Sequence, residues 1–175
     1  MPTESSVIPF IPKAEIEQRA LALLKEHGLL HIPVDPVRLA HAMNIKVFNA
    51  KFSDDTISGI LAKRGPTLTM LINASDSANR KRFTIAHELG HRVLDHFASL
   101  ESDHTDHVGD LFRSDQDVSA DRAEVQANFF AAALLMPEPL VREEFQKSRE
   151  IDVLATRFAV SSESMGYRLS NLRLV

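Results

Sequence analysis

Arg82-Phe83-Thr84-Ile85-Ala86-His87-Glu88-Leu89-Gly90-His91 carries two histidines four residues apart, with a glutamate directly after the first. Four residues on a helix bring side chains back to one face about a turn apart, so both imidazoles can converge on a single ion. Neutral imidazole nitrogen suits zinc. Glu88 is rotated away from the ligand face, yet stays within reach of a water at the metal, where a carboxylate serves as general base. The spacing predicts a helix from about Ala78 to Phe97. Its opposite side, Ile85, Ala86, Leu89, Val93 and Phe97, is apolar and faces a core. Gly90 in mid-helix costs roughly 1 kcal/mol relative to alanine. It points to a close approach at that position, by a substrate or by another helix.

A catalytic zinc takes three protein ligands and keeps one position open. The arrangement with a third histidine six residues after the second is absent, because Phe97 stands there. Glu124, on a second helix expected from about Asp121 to Met136, is the main candidate. Ala127 and Ala131 share roughly its face and would allow close packing against the first helix. Asn128, four residues on, is placed to orient a ligand. Two alternatives stand beside this reading. Glu124 and Asp121 fit a helix-capping box; or His96, His104 or His107 completes the site, although a solvated role suits these three better.

Outward from the two helices, Pro2, Pro9 and Pro12 mark an irregular arm, and Lys13 to about His27 has helical spacing closed by Gly28. Asp35 followed by Pro36 opens a short helix through Met43. Ile45 to Phe52, Ile57 to Ala62 and Thr67 to Ile72 read as strands, the last two a hairpin turned at Arg64-Gly65-Pro66. The polar stretch from Ser99 to Ser119, with Glu101, Asp103, Asp106, Asp110, Asp115 and Asp117, is expected as a long loop. A short helix follows Pro139. Ile151 to Ala159 and Ser162 to Leu172 form a helix pair joined at Val160-Ser161, with Ser161 as N-cap. The fold class is therefore α+β, organised as a core over 1–137 and a small helical segment over 138–175.

The 175 residues suffice for one domain with a real core and an appendage. Without cysteine, disulfides, thiolate metal sites and thiol nucleophiles are excluded. A net charge of −4 gives no global attraction to nucleic acid or anionic membrane. The sequence shows neither a signal-peptide pattern nor an apolar run of membrane-spanning length, so a cytoplasmic location is expected. The last two helices resemble a helix-turn-helix. From Glu150 to Val175, however, Glu150, Asp152 and Glu163 balance Arg157, Arg168 and Arg173. Without a basic excess, direct DNA binding is not expected, and packing or partner docking is favoured.

Arg82 to His91, together with Glu124-Val125-Gln126-Ala127-Asn128-Phe129-Phe130-Ala131-Ala132-Ala133-Leu134-Leu135-Met136-Pro137, resembles the ImmA/IrrE family of zinc metallopeptidases. Weaker similarity reaches the N-terminal helices, Ser58-Gly59, Ile72-Asn73 and the C-terminal segment. The resemblance implies a compact zincin-like core with His87, His91 and Glu124 as metal ligands and Glu88 as catalytic base. Zinc is the expected metal, with manganese the alternative. It also implies a protein substrate, a helix-turn-helix transcriptional repressor cut to relieve repression in a stress response or a mobile element. A non-proteolytic metal-binding regulator and a toxin-like partner of a helix-turn-helix antitoxin are the rival functions. Asp95 stands where the family often has a histidine. Tyr167 or a loop histidine is the candidate donor to the tetrahedral intermediate. Thr67 to Asn73 is the candidate sheet edge for an added substrate strand.

Overall fold

The computed structural model describes residues 8–54, 56–64, 67–96, 104–107 and 118–175. Among them are seven helices and four strands, in the order α1 (Lys13–Glu26), α2 (Pro36–Ala42), β1 (Ile45–Ala50), β2 (Ile57–Arg64), β3 (Thr67–Asn73), α3 (Ala78–Val93), β4 (His104–His107), α4 (Val118–Leu135), α5 (Glu138–Lys147), α6 (Ile151–Phe158) and α7 (Ser162–Asn171). The α+β expectation holds, and local chemistry sets the boundaries. The Asp35 carboxylate accepts from the backbone N–H groups of Val37 and Arg38, both at 3.0 Å, and Pro36 takes the first helical position. Gly28 ends α1 at φ +65°, a conformation that costs glycine nothing. The Ser77 hydroxyl caps α3, and the Ser161 hydroxyl caps α7.

The sheet runs β1-β3-β2-β4. β2 and β3 form the expected antiparallel hairpin, and β1 lies parallel to β3 on its other side. Thr67 to Asn73 is therefore a central strand with both ladders filled, not the edge expected for an added substrate strand. The edges among the described residues are β1 and β4. The polar stretch is likewise not all loop, since His104–His107 pairs antiparallel with β2 across an irregularity between Ile57 and Gly59. Residues 1–7 of the arm, Gly65-Pro66, Phe97 and most of the acidic stretch lie outside the described residues.

One row of the sheet, Val47, Met70 and Leu61, continues into Asn49, Ile72 and Gly59 on the same face. That face supports α3, and Gly59 sits beneath it so tightly that a Cβ there would meet Thr84 Cγ2 at 2.6 Å. On its far side α3 packs along α4, whose Ala127, Phe130, Ala131 and Leu134 are fully buried. The helix α1 covers the other side of α4. The close approach foreshadowed by Gly90 comes from α4: a Cβ at Gly90 would lie 3.1 Å from the Ala127 carbonyl oxygen and 3.1 Å from Phe130 Cδ1.

The C-terminal helices enter the same hydrophobic cluster through Leu154, Ala155, Phe158, Met165 and Leu169. Polar clamps fasten them. Arg82, on α3, donates to the carbonyls of Val34 at 2.6 Å and Ala159 at 3.0 Å. Burial holds its pKa below the ordinary guanidinium value, opposed by the charge of Asp35. Arg168 is 1% exposed, donates to the Met136 carbonyl at 2.9 Å and forms a two-pronged ion pair with Glu17 of α1.

Gly90→Ala sets the gain in helix propensity against overpacking of the α3–α4 seam. The seam dominates because backbone and a buried ring must both yield, so stability falls by about 1–2 kcal/mol. Thermal unfolding checks this; an alanine variant as stable as the parent would contradict the packing account.

Candidate metal centre

His87 and His91 lie at the α4-facing side of α3, 2% and 0% exposed. Their Nε2 atoms are 2.9 Å apart, with the rings edge to face at 69°. Glu124 reaches across from α4, Oε2 lying 3.1 Å from His87 Nε2 and Oε1 3.2 Å from His91 Nε2. Glu124 retains 23% side-chain exposure, so the cluster opens toward solvent at its carboxylate. Among the described residues, these three form the group able to hold a metal ion, with ligand atoms within 4.8 Å of one another. The capping-box alternative for Glu124 fails, because Asp121 lies inside α4, which begins at Val118.

The hydrogen bonds behind the imidazoles decide what these atoms present to one another. Asn128 Oδ1 lies 2.9 Å from His87 Nδ1. A carbonyl oxygen only accepts, so His87 carries its proton on Nδ1 and turns the Nε2 lone pair toward Glu124. His91 Nδ1 meets His96 Nδ1 at 3.1 Å, and His96 Nε2 meets Gln126 Oε1 at 2.9 Å. Gln126 Oε1 accepts from His96 Nε2–H, His96 Nδ1 accepts from His91 Nδ1–H, and His91 Nε2 also faces the cluster as a lone pair. Two imidazole lone pairs and a carboxylate converge within 3.2 Å. Such an arrangement is repulsive unless a cation, or a proton shared with the carboxylate, sits among them. The separations approach the edge of about 3.3 Å expected for a tetrahedron with bonds of about 2.0–2.1 Å. The donor set, two nitrogens and one carboxylate, fits zinc.

Glu88 follows His87 on α3 and is fully buried. Asn128 occupies the orienting position anticipated for it. His96 departs from expectation: it is 1% exposed rather than solvated, and it stands behind His91 rather than among the ligands. The cause is a turn. α3 ends at Val93, and Asp95 adopts φ +60°, which an aspartate tolerates better than most residues, so the next side chain swings back beneath His91. Gln126 was not singled out from sequence; its position four residues before Phe130 on a buried helix face is the signal that could have found it. The side chains of His104 and His107 lie outside the described residues. Tyr167 is 64% exposed on α7.

Residues 40–170 match the IrrE N-terminal-like domain, a peptidase family. The chain belongs to that family. It is 38% identical over 106 residues to the radiation response metalloprotease IrrE of Deinococcus radiodurans, and 37% identical over 106 residues to the protein of that name from Deinococcus deserti. Each match covers 58% of this chain but only 30% and 35% of the relatives, so the chain corresponds to about a third of those proteins. A transcriptional regulator of Mycobacterium tuberculosis superposes with a TM-score of 0.65 at 21% identity, over 90% of this chain and 46% of that one. That likeness is one of fold. The family membership makes this a metallopeptidase-type domain. No helix among the described residues is long and apolar enough to cross a membrane.

Glu124→Ala removes the carboxylate that brings α4 into the cluster. The folded variant is expected to lose stoichiometric zinc binding, measured by metal analysis after gel filtration; full retention of one zinc per chain would contradict the ligand set.

Proposed function

We propose that this chain is a zinc-dependent endopeptidase, with His87, His91 and Glu124 as metal ligands and Glu88 as general base. The observation that carries the reading is the convergence of those three ligand side chains, on two helices that pack directly together, with a glutamate beside the first ligand. A metal ion held there supplies Lewis acidity, polarising a peptide carbonyl and making water more acidic. The chain's own part begins with Asn128 and His96, which hold the two imidazoles in the tautomers that suit a ligand. Glu88 takes the proton of the attacking water and delivers it to the departing amine nitrogen, which balances the cleavage of one peptide bond by one water. Zinc is proposed over manganese because imidazole nitrogen suits the softer ion.

The proposed substrate is a helix-turn-helix transcriptional repressor in the cytoplasm, cut so that repression is relieved under stress or in a mobile element. Two relatives are named for a radiation response, which supports a stress role. Residues 1–137 form the catalytic unit in this reading, and 138–175 a packing or docking segment. Direct DNA binding finds little support in α6 and α7. Arg157 is paired with Glu144, and Arg168 is buried against Glu17, so among the described residues Arg173 is the one of the three C-terminal cations without an ion pair. Phosphate recognition needs a larger basic surface.

Mass spectrometry of new protein termini, in cells expressing the parent chain or Glu88→Gln, tests the reading. Loss of a positioned general base lowers cleavage by about 100- to 10,000-fold, so a cut seen with the parent is expected to vanish with the variant. Identical termini from both proteins, each folded and zinc-loaded, would favour a metal-binding regulator instead.

A further inference from the structure

The hydrogen-bond chain behind His91 does not stop at Gln126. Gln126 Nε2 donates to the Pro9 carbonyl at 3.0 Å, and one turn earlier on α4 Arg122 donates to the Ile8 carbonyl at 2.9 Å. Ile8 and Ile11 are 7% and 8% exposed, so this part of the N-terminal arm is docked rather than loosely laid on the surface. An unbroken series of contacts therefore runs from the arm through Gln126 and His96 to His91.

We infer that His96 and Gln126 are positioning residues for the metal centre, and that the arm, through the Pro9 carbonyl, sets the polarity that presents the His91 Nε2 lone pair to the site. The inference rests on the metal-binding reading above. A primary amide has a donor end and an acceptor end, and Pro9 O can only accept. Turning the amide over would set two carbonyl oxygens against each other. His96 Nε2 would then accept from the amide, and the His96 proton would move to Nδ1. His91 Nδ1 would have to accept that proton's hydrogen bond, so the His91 proton would sit on Nε2 and point into the cluster, where a cation cannot share it. One proton on each of two imidazoles is relocated, and none is gained or lost. His91, His96 and Gln126 are 0%, 1% and 4% exposed, so water offers little relief from a mismatched polarity. Docking of the arm and affinity for the metal are consequently linked, because one amide serves both.

Competition with a chromophoric chelator gives the zinc affinity, and long-range proton–nitrogen-15 correlation on the imidazoles of the metal-free protein gives their tautomers. Gln126→Met keeps the length of the side chain and removes both polar ends. Its zinc affinity is expected to fall about 10- to 100-fold, with His91 populating the Nε2-protonated form. Gln126→Glu keeps an acceptor for His96 while its second oxygen turns against the Pro9 carbonyl, so the arm is released but the parent tautomer of His91 is kept, and the affinity should return to within about threefold of the parent. Unchanged affinity and tautomers in Gln126→Met would overturn the inference, as would a Gln126→Glu chain as weak as Gln126→Met. If Gln126→Met does not fold, His96→Phe carries the same expected loss of affinity and the same overturning result. Failure of the parent chain to bind zinc would overturn the metal reading itself, a result distinct from these.

Discussion

The contact between Gly90 of α3 and the Ala127–Phe130 turn of α4 governs the rest of the molecule. Ligands on α3 are set one turn apart by the helix itself, whereas the third must arrive from another helix. Its reach is one glutamate side chain. Gly90 without a side chain and Ala127 with a small one let the two backbones approach until Glu124 spans both imidazoles. The sheet serves this contact from below, with Gly59 giving way beneath Thr84 so that α3 lies low on β2 and β3. From above, α1 presses on α4, while Arg82 and Arg168 tie the C-terminal helices to α3, α1 and the end of α4. Charged hydrogen bonds to carbonyls contribute about 1.5–3 kcal/mol each, enough for these ties to matter in a fold of ordinary stability.

Electrostatic preorganisation follows from the same packing. Setting two buried imidazoles beside a half-buried glutamate is unfavourable in itself, and the fold offsets part of that cost by committing each Nδ1 proton outward. Asn128 receives one and His96 the other. The lone pairs are left facing inward with Glu124, in a geometry that a divalent cation completes. Both imidazoles are thus oriented before any ion arrives, so binding need not spend free energy on choosing a tautomer.

Legibility in the sequence tracked how local each feature is. His87, Glu88 and His91 could be read because the helical repeat alone places them. Gly90 was legible as a close approach, while its partner was left open between substrate and helix. Glu124 was one of several options on residue pattern, and the family resemblance singled it out. His96 was misread because its burial depends on the left-handed turn at Asp95, which no periodicity announces. Gln126 was missed because half of its role lies in the docked arm, more than a hundred residues away in sequence. Strand order defeated the reading of β3 as an edge. β4, His104-Thr105-Asp106-His107, has none of the apolar alternation by which a strand is recognised, and β1 joins β3 from outside the hairpin.

X-ray absorption at the zinc edge of the loaded protein tests the central claim most directly, since it counts and identifies the atoms around the ion. The account predicts a site of about four light ligands at roughly 2.0–2.1 Å, with the multiple-scattering signature of two imidazoles and the remainder oxygen. A third imidazole, or an octahedral all-oxygen shell, would contradict it.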